Sequence, residues 1–156
     1  MKLYRLGPEV AGGLGENSII IYNENGIMKD VSYLHYKFEG WLGDELLTTT
    51  PCFIVTEKLS NAIIDSNLTG YEFQDMEVSE SYNFKLLKPD VILPNFKRLI
   101  PIGTVQIEDK KVKHWSGHDF CRIGITRLVV SDHALNILQK YSISNCDIIE
   151  LNFNQE

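Results

Sequence analysis

Residues 1–50 carry strand and turn signals rather than helical periodicity. Met1 to Leu6 predicts a short first strand, and the β-branched run from Ser18 to Tyr22 predicts another. Asn23-Glu24-Asn25-Gly26 is turn chemistry, because Asn and Gly tolerate positive φ. Val31 to Phe38 then alternates, with Val31, Tyr33, His35 and Lys37 on one face and Leu34, Tyr36 and Phe38 on the other. The second face is expected to be buried.

An internal repeat is visible when Phe53-Ile54-Val55-Thr56 is laid over Leu128-Val129-Val130-Ser131, an offset of 75 residues without a gap. Each copy opens with an apolar β run and reaches a hydroxyl residue suited to cap a helix, Thr56 or Ser131. An acid follows at once, Glu57 or Asp132, where the helix dipole favours negative charge. The helical stripe is Leu59, Ala62 and Ile63 in the first copy and Ala134, Ile137, Leu138 and Tyr141 in the second. Each helix ends in polar residues before a new strand, Tyr71-Glu72-Phe73 or Cys146-Asp147-Ile148. The expected fold is therefore a single α+β domain over residues 1–156, a mixed or antiparallel sheet with two short helices from two related strand-helix-strand units. Those units occupy 53–80 and 128–153, and 81–127 are expected to supply connecting strands and loops. Within that connection, Leu99-Ile100-Pro101-Ile102 predicts an edge strand, since proline cannot donate to a ladder. Glu108 to Lys113, with Lys110, Lys111 and Lys113, predicts an exposed hairpin tip.

Composition narrows the function. Fifteen Lys and Arg against 21 Asp and Glu give a formal charge of −6, which argues against phosphate-backbone binding and favours a basic partner. At this length a core forms without metal or disulfide staples, so no cofactor is expected. Three widely spaced cysteines, Cys52, Cys121 and Cys146, do not make a secreted disulfide framework. Met1 to Pro8 lacks the apolar stretch of a signal peptide, and no run of about 18 apolar residues is present for a membrane span. A cytoplasmic location follows as the expectation.

Three segments offer candidate chemistry. Gly7 to Asn17 is glycine-rich, but a strand rather than a helix follows it, and Glu9 and Glu16 would repel a phosphate. A structural or partner-contacting loop is the favoured reading. Glu39 to Leu47 sets Trp41 between two glycines and follows it with Asp44 and Glu45. One reading is an aromatic anchor and a capped helical turn with Asp44 as cap. The other is a binding loop in which Trp41 supplies contact area and Asp44 and Glu45 meet a basic partner. The third segment, His114-Trp115-Ser116-Gly117-His118-Asp119-Phe120-Cys121, holds four ligand-capable residues, yet Gly117 opposes a helix and no second ligand pair is present. His35 and Cys52 are the distant candidates for a metal there, and no local signature selects a Cys-His nucleophile pair.

The stretch Pro51 to Leu59, continuing through Leu68 to Phe73 and then Arg127 to Ser131 with the helix after it, resembles the eleventh family of bacterial polymorphic-toxin immunity proteins. The likeness covers residues 51–153 as a pattern of core positions. It implies a small intracellular α+β protein that binds and neutralises a cognate toxin, with no catalytic residues. Two functions are thus in view. One is a protein-binding module using Trp41, Asp44, Glu45, Glu9 and Glu16, and the other is a small enzyme or metal-binding protein with a site near His114 to Cys121.

Overall fold

The computed structural model describes residues 1–153 and arranges them as two halves with one plan. The first half contains β1 (Leu3–Gly7), β2 (Glu9–Val10), β3 (Gly12–Leu14), β4 (Ile19–Tyr22), β5 (Met28–Tyr33), β6 (His35–Phe38), β7 (Leu46–Thr49), β8 (Cys52–Thr56), α1 (Glu57–Asp65), β9 (Tyr71–Gln74) and β10 (Glu77–Glu80). A short helix, α2 (Tyr82–Leu87), leads to the second half. That half contains β11 (Phe96–Pro101), β12 (Gly103–Glu108), β13 (Lys111–Trp115), β14 (Phe120–Ile123), β15 (Arg127–Ser131), α3 (Asp132–Leu138), β16 (Asp147–Glu150) and β17 (Asn152–Phe153). Among the described residues no helix is long and apolar enough to cross a membrane.

The seven-stranded sheet runs β16-β1-β15-β14-β12-β13-β17. Its counterpart runs β9-β11-β8-β7-β2 and continues as β3-β6-β10, since only Ala11 separates β2 from β3. At that break the Ala11 amide donates to the Tyr36 hydroxyl at 2.9 Å instead of to a strand. Position by position the two orders match, and each half's opening strand lies in the other's sheet. β1 sits between β15 and β16, with Leu6 opposite Leu128 and Ile148. β11 sits between β8 and β9, with Leu99 opposite Phe53 and Phe73, so the offset of 75 holds on both flanks.

The strand-helix-strand units form as expected, and their caps work through the expected atoms. Thr56 accepts from the Leu59 amide and Ser131 from the Ala134 amide, both at 3.2 Å. Leu59 and Ile63 are buried on α1, and Ala134 and Leu138 on α3, where Leu135 joins them.

Residues 81–127 hold β11 to β14, which complete the second half. Two expectations change. β11 is an inner strand; Pro101 is tolerated as its last residue, where little of the ladder needs its missing amide. The α2 helix is an addition to the two expected, capped by Ser81 accepting from the Phe84 amide and anchored by buried Phe84.

The cores follow from this plan. A shared core lies between the halves and contains both repeated helices together with Leu6, Phe53, Leu99, Phe120 and Leu128. The outer face of each sheet has its own core. Tyr36, Phe38, Phe84 and Phe96 dominate the first, whereas the second holds the smaller Leu3, Val105, Val112, Cys121 and Val129. The size difference has a cause in topology. Where the second half turns tightly at Asp109 and Lys110, both at positive φ, the first half inserts the β4–β5 hairpin, and α2 adds Phe84.

Candidate functional site

The acids expected to meet a partner are mostly engaged within the chain. Asp44 is 2 % exposed and accepts from the Asn145 amide at 2.8 Å and from Asn145 Nδ2 at 2.9 Å. Glu45 accepts from Thr56 Oγ1 and from the Ser142 amide, both at 3.0 Å. Neither capping of a helical turn nor free presentation describes this loop, since strand β7 follows directly. Trp41 is half-buried, packs edge-on against Phe96, and donates Nε1 to the Asp44 carbonyl at 2.8 Å. Glu16 alone of the four acids is exposed, 3.5 Å from Lys37 Nζ.

Glu9 is buried on β2, where one oxygen accepts from the Leu42 amide at 2.8 Å and the other has no hydrogen-bond partner. Burial pushes its carboxyl above the ordinary range, nearby Asp44 adds to the rise, and the Leu42 amide opposes it. The folded chain therefore keeps this proton to higher pH than the unfolded chain, and stability falls as pH rises through that window. Glu9→Gln is expected to be more stable than the parent at about pH 7 and equal to it at about pH 4. Urea melts at the two pH values check this, and the same difference at both would remove Glu9 ionisation from the account.

The glycine-rich segment is structural. A Cβ on Gly12 would lie 1.9 Å from the Lys37 carbonyl oxygen, and one on Gly15 would lie 2.3 Å from His35 Nδ1. These glycines let β3 and the chain after it pass directly over β6.

In the His114 to Cys121 segment the ligand-capable groups diverge. His114 is exposed on β13, while His118 Nδ1 meets Ser116 Oγ at 2.8 Å. Asp119 accepts from Ser131 Oγ at 2.6 Å and from the Thr69 amide at 2.9 Å. Distant His35 is buried and committed to Ser79 Oγ at 2.7 Å and to the Asn17 amide at 3.2 Å. Burial pushes the Cys52 and Cys146 thiols up to about 11 and raises Cys121, away from the reactive thiolate. Among the described residues no three His, Cys, Asp or Glu side chains gather as a metal site.

Side by side, these two segments disclose a repeat that strand periodicity does not reveal. Trp41-Leu42-Gly43-Asp44-Glu45 corresponds to Trp115-Ser116-Gly117-His118-Asp119, with glycines at φ +102 and +88. Trp115 Nε1 donates to the His118 carbonyl at 3.0 Å, as Trp41 does to Asp44. Glu45 and Asp119 each accept a hydrogen bond from the hydroxyl of their own helix cap, and each also holds the chain leaving the other half's helix. The offset here is 74 rather than 75, because Gly124-Ile125-Thr126 joins β14 to β15 where Thr50-Pro51 joins β7 to β8. A search for Trp-x-Gly-x-acid would have found it.

The features outside the repeated plan remain as functional candidates. On the β4–β5 hairpin, Ile19, Ile21, Tyr22 and Ile27 are 57, 42, 56 and 62 % exposed. Beneath its base, a cavity of 230 Å³ is bordered by Arg98 and Arg122. No family model matches the chain, and no curated protein is significantly similar to it.

Proposed function

We propose that this chain is a non-catalytic protein-binding module of the immunity type, which neutralises a toxin by occupying its surface. The observation that supports it is the β4–β5 hairpin, a two-stranded ribbon that breaks the plan shared by the two halves and carries four exposed apolar side chains. Four exposed apolar side chains on one two-stranded ribbon mark a contact site. Glu16, Glu24 and Asp30 against Lys29 make the segment acidic, in keeping with the chain's charge of −6, so a basic partner is attracted electrostatically. The resemblance of residues 51–153 to immunity proteins supplies the toxin as partner. A cytoplasmic site of action belongs to the same reading.

The test uses tagged protein incubated with lysate of its source organism, alongside an Ile21→Asp, Tyr22→Asp variant. Both positions are exposed, so the variant is expected to melt within about 2 °C of the parent. One partner, held by the parent through a moderate-salt wash and released by the variant, is the expected result. A partner retained equally by both forms, or no partner on either, overturns this reading.

A further inference from the structure

Arg98 is the charged side chain that the scaffold explains least. It lies on β11, opposite Ile54, at the register position that Arg5 occupies on β1 opposite Val129. Arg5 is half-buried, whereas Arg98 is 5 % exposed, since only the first half has the hairpin above this face. Its Nη1 donates to the Val31 carbonyl and to Gln74 Oε1. Nη2 lies 3.5 Å from Asp30 Oδ1, and Nε has no partner within the chain. A guanidinium has five N–H donors; Nε is enclosed, and Nη2 retains hydrogen-bonding capacity beyond its ion pair with Asp30.

The cavity beside it draws on Asp30 to Ser32 of the hairpin, Pro51 to Phe53 at the start of β8, Gln74 of β9, Arg98 to Pro101 of β11, and Arg122 with Ile125. Arg122 has no carboxylate at ion-pair distance among the described residues. Two guanidiniums against the single Asp30 carboxylate leave one net positive charge. Cys52, also at the wall, stays a neutral thiol. The charge therefore calls for a monoanion, and Pro51, Pro101 and Ile125 offer apolar walls to its body. A volume of 230 Å³ is below that of drug-sized pockets, which limits the guest to a few heavy atoms. Paired N–H donors of arginine match the two oxygens of a carboxylate.

We propose that this cavity is a binding site for a small monocarboxylate with a short apolar body, held by Arg98 and Arg122. The site shares Asp30 to Ser32 with the hairpin that carries the partner surface proposed above, but takes its ligand through Arg98 and Arg122. Titration of the full chain with propionate, followed by NMR of the arginine side chains, tests it. Saturable binding with a Kd of about 1 mM is expected, and the uncharged isostere propionamide is expected not to bind. Arg122→Gln removes an exposed charge without disturbing the fold and is expected to weaken propionate binding about tenfold. Absence of saturation, equal binding of propionamide, or unchanged affinity in Arg122→Gln would each overturn the proposal.

Discussion

Replacing Phe38 by alanine is expected to lower the unfolding free energy by about 4 kcal/mol, the cost of truncating a fully enclosed aromatic ring. Phe38 is 0 % exposed, and its ring centroid lies 4.7 Å from Tyr36, 5.3 Å from Phe96 and 6.4 Å from Phe84. Three elements meet at this ring: β6, the strand exchanged from the second half, and α2. No single neighbour can move to close the hole. At this chain length the melting temperature should fall by roughly 12 °C. On the equivalent strand of the second half, β13, the buried core residue is Val112. Val112→Ala removes less volume and should cost only about 1–2 kcal/mol. Urea melts of the two variants measure the contrast, and equal losses would contradict the account of a first-half core enlarged by its insertions.

Asp119→Ala is expected to cost about 3 kcal/mol, through hydrogen bonding rather than packing. Its carboxylate orients the Ser131 hydroxyl, which caps α3, and accepts from the Thr69 amide and hydroxyl at the exit from α1. One short side chain thereby fixes the start of one helix and the end of the other. Removing it leaves the fully buried Ser131 hydroxyl without its acceptor. A loss in denaturant melts below about 1 kcal/mol would mean that water replaces the carboxylate, and that this link between the halves is dispensable.

What could be read from the sequence was local. The Phe53 and Leu128 runs, their Thr56 and Ser131 caps and the following helices depend on neighbours along the chain, so the residue pattern alone places them. Leu34, Tyr36 and Phe38 were legible for the same reason, although Leu34 separates two strands where one continuous strand is expected. Strand exchange was not legible, because nothing in Leu3 to Leu6 specifies that its neighbours lie more than a hundred residues away. Asp44 and Glu45 show the corresponding difficulty at the site. Adjacent acids beside a tryptophan read as a surface, and only the distant Asn145 and Ser142 amides turn them inward. Exposure of Ile19, Ile21 and Tyr22 was equally hidden, since a β-branched run is as compatible with a projecting ribbon as with a core strand.

The placement of the partner surface on the inserted hairpin is tested most directly by amide hydrogen exchange of the chain, free and in complex with the protein captured from lysate. Binding is expected to slow exchange over residues 19–29, with the strands shared by both halves little changed. Protection confined to those shared strands, with the hairpin exchanging as fast in the complex as alone, would contradict it.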